Sequence, residues 1–127
     1  MVSNIADTNI VLRYLLNDDP VLSPKAKDLF AKAADHKISI YLDELALAEI
    51  IWVLIKHYKQ PKDLVVANLQ KLISQDWIVN PRKSLLEKSF FDFTRFNISF
   101  IDSWLFNLGR ETGHRLETFD KKLKNLK

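Results

Sequence analysis

Sixteen Asp and Glu residues occur in the chain, and four of them interrupt or end apolar stretches. Asp7 lies in "IADTN", Glu49 in "LALAEIIWVLI", Asp102 between "SFI" and "SWLF", and Asp120 after "ETF". Glu49 poses the sharpest question, because an isolated carboxylate withdrawn from water costs several kcal/mol unless it is paired, protonated or bound to a cation. Its helical neighbours Leu45, Ala46, Trp52 and Val53 carry no counter-charge. Several carboxylates gathered in one cleft repel one another unless a divalent cation or shared protons offset the repulsion. There is no cysteine, and His36, His57 and His114 are too scattered to form a ligand pair, so such a cation is held by oxygen. Oxygen ligands favour Mg²⁺ or Mn²⁺ over zinc or copper. A carboxylate-held metal lowers the pKa of a bound water, orients it for in-line attack and neutralises charge on a phosphate. With Gly109 and Gly113 as the two glycines, the chain has no Walker A loop, dinucleotide fingerprint or nucleophile elbow.

Each of the four also has a plainer explanation, which for Glu49 is a bend in the chain or a distant Arg that satisfies it. Asp7, Asp102 and Asp120 could each cap a helix, a role closed to Glu49 inside its apolar segment. Asp92 in "FFDFTRF" is set aside, since Lys88 and Arg95 stand at helical spacing and a surface ion pair accounts for it.

The elements that must position these acids alternate. A short strand is expected at Asn4 to Asp7, then a buried helix from "NIVLRYLL". Ser23 with Pro24 reads as an N-cap and first-turn proline, followed by Ala26, Leu29, Phe30 and Ala33 at helical spacing. "ISIYL" is a β-branched and aromatic strand, with Asp43 capping the helix that holds Glu49. A helix from Pro61 towards Ser74, a short strand "WIV" and a helix opened by a Ser84/Glu87 capping box come next. "FIDSWLFNLGRETG" is a helix stopped by Gly113, and "RLETF" a last strand. Strands separated by helices predict an α/β fold, a parallel central sheet sandwiched between helices in three layers. Sites in such sheets collect at the carboxyl ends of strands, where Asp7 and Asp120 are expected.

With 127 residues, 47% of them hydrophobic, and only two glycines and four prolines, the chain is expected to form one ordered domain spanning residues 1–127. No apolar run reaches membrane-spanning length and the N-terminus has no signal-peptide pattern, so the expectation is a soluble, cytoplasmic protein. The net charge of +3 is modest, but withdrawing four acids into a site leaves the remaining surface more basic and attractive to phosphates. Tyr14, Trp52 and Trp104 could stack on bases; for the two tryptophans, in apolar helices, core packing is the expectation.

Taken in order, "IADTNIVLRYLLNDDP", "ALAEIIWVL", "FIDSWLFNLGRETG" and "LETFDKKLKNL" resemble PIN-domain ribonucleases, most closely the toxin half of VapBC-type toxin-antitoxin pairs. The resemblance implies an acidic pocket that binds Mg²⁺ or Mn²⁺ and hydrolyses single-stranded or loop RNA with a metal-activated water. By position it implies Asp7, Glu49 and Asp102 as the principal metal-site acids, Asp120 completing the pocket, and Asn9 and Thr118 as hydrogen-bonding supports. It further implies a homodimer silenced by a cognate antitoxin. Ser103 stands where many relatives have alanine, and Glu117 where relatives are often apolar; strand alternation from Thr118 points Glu117 away from the site. Two rivals are a catalytically idle PIN-like binding module and a receiver-type phosphoacceptor domain. The latter needs an aspartate ending the third strand, where "WIVNP" has asparagine.

Overall fold

The computed structural model describes residues 2–126, which divide after Pro81 into two units. In the first unit the β-branched stretches become β1 (Val2–Ile5), β2 (Ile38–Tyr41) and β3 (Ile78–Val79), which form a parallel sheet in that order. Ile5 pairs with Tyr41 and Tyr41 with Val79, so the three strands end level with one another. The ladder continues just past them, where the Ala6 N–H reaches the Tyr41 carbonyl and the Leu42 N–H the Val79 carbonyl, both at 3.1 Å. A parallel pair needs a crossover, and helices supply it. The crossover from β1 to β2 carries α1 (Thr8–Leu16) and α2 (Leu22–Ala34); that from β2 to β3 carries α3 (Glu44–Trp52) and α4 (Lys62–Ile73). This is an α/β fold with a small parallel sheet. Its core is apolar, with Val11, Ile40, Leu47, Ile50, Leu69 and Ile78 fully buried, each worth about 1.5–3 kcal/mol.

Helix starts at the carboxyl edge of the sheet follow from side-chain caps. Asp7 accepts from the Ile10 N–H at 3.0 Å and starts α1; Asp43 accepts from the Leu45 N–H at 3.0 Å and starts α3. The expected Ser23 cap is not formed. α2 begins a residue earlier, and Asp19 instead accepts from the Val21 and Leu22 N–H groups at 2.9 and 2.7 Å. Ser23 is buried in the helix and donates its hydroxyl to the Arg13 carbonyl at 2.8 Å.

The second unit holds α5 (Lys83–Arg95), α6 (Phe100–Thr112) and the short α7 (Lys121–Lys124). Phe90 and Phe93 pack on Phe100, with ring centroids 5.2 and 5.9 Å apart. Buried polar contacts fasten the same two helices: Ser103 donates to the Ser89 carbonyl at 2.6 Å, and Asn107 Nδ2 donates to Asp92 Oδ2 at 2.9 Å. Asp92, expected in a surface ion pair, is therefore buried at 8% exposure beneath the α5–α6 contact. Charge spacing alone could not reveal this, because the decisive partner lies fifteen residues away on another helix. The Ser84/Glu87 capping box is not formed either; α5 starts one residue before Ser84 without a side-chain cap. Gly113 ends α6 as expected, with φ 77° in the left-handed region open to glycine. "RLETF" does not become a strand, and its residues run as irregular chain into α7. β-propensity alone cannot hold a strand; it needs a paired neighbour.

Candidate active site

Asp7 follows β1 across Ala6, at the level edge of the sheet, and its carboxylate is exposed although one oxygen caps α1. The cap uses Oδ1, which leaves Oδ2 and further lone pairs for another partner. Glu49 lies on α3, and the structure corrects its expected setting. Leu47, Ile50 and Ile51 form the buried face of that helix, whereas Glu49 is exposed on a stripe with Leu45 (79% exposed) and Trp52 (63%). The sequence misled because α3 is apolar on both faces, so hydrophobicity alone could not tell inside from outside. Trp52 is consequently not a core residue; Trp104 is half-buried, and Tyr14 stacks on Phe30 at 4.1 Å.

Asp7 and Glu49 nevertheless share a cleft. Both line an open cleft of about 470 Å³ together with Thr8 and Asn9. No hydrogen bond or ion pair ties the Glu49 carboxylate to any of the described residues. Two carboxylates flanked by a hydroxyl and an amide make an all-oxygen donor set of the kind hard divalent cations take, with room left for water. Among the described residues no group of three or more His, Cys, Asp or Glu side chains stands ready to hold a metal ion.

The other two acids belong to the second unit. Asp102 is half-buried in the first turn of α6, where a negative charge suits the helix dipole. The cap it was offered belongs to Ser99, whose hydroxyl accepts from the Asp102 N–H at 3.1 Å. Asp120 caps α7 by accepting from the Leu123 N–H at 3.1 Å, and the Thr118 hydroxyl accepts from the Asp120 backbone N–H at 3.1 Å. Asp120 follows irregular chain, not a strand. Glu117 is turned to solvent, 3.6 Å from Arg115.

The cleft also contains residues that the acid-centred reading passed over. Arg13, one turn further along α1, and His57 and Tyr58, beyond the end of α3, line it as well. After Trp52 the helix widens into a π turn, Val53–His57, in which the Tyr58 N–H reaches back five residues to the Val53 carbonyl at 3.1 Å. Such turns recur at functional sites. Arg13 donates from Nη1 to Asp18 Oδ1 at 2.9 Å and from Nη2 to the Tyr58 hydroxyl at 3.2 Å. The Tyr58 bond, then the Asp18 charge, outweigh partial burial and hold the guanidinium above its ordinary pKa. A sequence signal was available: Arg13 is the one charge in "NIVLRYLL", as Glu49 is in "LALAEIIWVLI".

The PIN domain family model matches residues 5–127, and the chain belongs to that family. PIN domains are generally nucleases that need divalent metal, so the α/β fold and the acidic cleft have a known chemical context. Comparison with curated proteins and with solved structures gave no match. No helix among the described residues is long and apolar enough to cross a membrane.

Proposed function

We propose that this chain is a Mg²⁺- or Mn²⁺-dependent endoribonuclease, folded as one PIN nuclease domain, that acts as the toxin of a type II toxin-antitoxin pair. The observation that carries the reading is the pairing of Asp7 and Glu49 in one open cleft of a PIN-family chain. A divalent cation bound there supplies charge neutralisation for a phosphodiester and a water of lowered pKa. Asp7 and Glu49 would hold it, and the resemblance to PIN-domain toxins supports Asp102 and Asp120 as further metal-site acids. Asp7 is rigidly placed for this, since the Ile10 N–H fixes one oxygen and leaves the other free. Asn9 lines the same cleft and Thr118 holds the Asp120 backbone, which suits both to supporting roles. The four sequence motifs that resemble VapBC toxins support the assignment of an RNA substrate, a homodimer and a silencing antitoxin.

Purified protein should cut single-stranded RNA in Mn²⁺ or Mg²⁺ and stop in EDTA, and Asp102→Asn should lose most activity because a missing carboxylate weakens metal and water placement. Binding without cutting in any divalent metal would identify an idle module. Expression without an antitoxin should arrest growth, and harmless expression of active protein would count against the toxin role.

A further inference from the structure

A cation held by Asp7 and Glu49 would neutralise only the phosphodiester it touches, so a strand lying along an acidic cleft needs further donors to its phosphates. The Arg13–Tyr58 pair meets that need. Arg13 is anchored on one side by Asp18, which ties the turn after α1, and on the other by Tyr58 at the end of the π turn. In the second bond the guanidinium donates and the phenol oxygen accepts, so the Tyr58 O–H proton is still available to a ligand. Tyr58 is 37% exposed and edge-on to the His57 ring at 4.8 Å. Arg13 Nε is buried without a hydrogen-bond partner. Because Nε itself has no access to solvent, the ligand is met by the outer face of the pair. His57 and Tyr58 end the π turn and line the cleft that Asp7 and Glu49 share.

We infer that Tyr58 donates its hydroxyl proton to a phosphate oxygen of the RNA strand in this cleft, and that Arg13 is the positioning residue that fixes and polarises that hydroxyl. The inference rests on the nuclease reading above and names how the same cleft holds its substrate.

Three variants separate the roles in the full chain: Tyr58→Phe removes only the oxygen, Arg13→Met removes the cation, and Arg13→Lys keeps it. Lys27→Ala, on an exposed face of α2, controls for general charge loss. Tyr58→Phe should raise KM for single-stranded RNA about 10-fold, as expected for one hydrogen bond to a charged group, with kcat little changed and an unaltered melting curve. Arg13→Met should raise KM as much, and Arg13→Lys should recover part of the loss. Binding of a fluorescent single-stranded oligonucleotide, measured in an Asp7→Asn background to prevent cutting, should weaken in parallel. Its log-log salt slope should stay steep for Tyr58→Phe and fall by about 0.7 for Arg13→Met if the cation itself also faces a phosphate. Wild-type KM and binding in Tyr58→Phe, while the parent enzyme cuts RNA and Asp7→Asn does not, would overturn this inference alone. A parent protein that neither cuts nor binds RNA would overturn the nuclease reading and this one with it.

Discussion

Replacing Glu49 by Gln preserves shape and deletes one charge, and the structure sets what should follow. Glu49 is exposed and has no hydrogen-bond or ion-pair partner among the described residues, so without metal its loss should change stability by no more than ~0.5 kcal/mol. The direction should be upward, because the substitution relieves repulsion from Asp7 in the shared cleft. Metal changes the comparison. A cation at about 100 times its dissociation constant stabilises the native state by about 2.7 kcal/mol. At roughly 4 °C per kcal/mol for a chain of this length, that is a rise of about 10 °C in the parent. If loss of one carboxylate weakens binding about 100-fold, the top of the range for outer ligand partners, the same metal concentration adds only about 0.4 kcal/mol, or about 2 °C. Thermal melts of both proteins in EDTA and in Mg²⁺ or Mn²⁺ measure all four states and need no RNA. A metal-induced rise that survives intact in Glu49→Gln would refute the reasoning and place the metal elsewhere. A metal-free loss of about 3–5 kcal/mol would mean that Glu49 is a buried half of an ion pair.

Asp7→Asn should abolish cutting yet keep the fold, since Asn caps helices as well as Asp does, whereas Asp7→Ala should also cost about 0.5–2 kcal/mol; urea melts with activity assays compare them. Asn107→Ala removes the amide donor from the buried Asp92 carboxylate and should cost about 2–3 kcal/mol by urea denaturation; a neutral result would mean that Asp92 is not held there. The Leu22 and Val21 N–H groups hold Asp19 below its ordinary pKa of 3.8. Its contribution to stability is therefore complete above pH 3.8 and is lost as pH falls through the lower folded value. Asp19→Ala should melt below the parent at neutral pH and converge on it in strong acid, a trend a pH series of thermal melts would show.

Sequence by itself determined the elements whose causes are local. Asp43 before an apolar helix, Pro61 before α4 and Gly113 after α6 act within a few residues of chain, and all three do what spacing predicts. The alternation of β-branched stretches with helices was enough to specify a parallel sheet, because level parallel strands need helical crossovers. Only tertiary structure decided which face of an apolar segment turns inward. α3 exposes Leu45, Glu49 and Trp52 because its other face meets the core, and no periodicity in "LALAEIIWVLI" separates the two. The same holds for Asp92, whose burial depends on an amide from α6, and for "RLETF", which has strand composition but no strand beside it. The cleft was half legible. Asp7 and Glu49 stood out as charges against apolar neighbours, whereas Arg13 and Tyr58 became part of it through a hydrogen bond spanning forty-five residues of chain and a π turn that side-chain type does not announce.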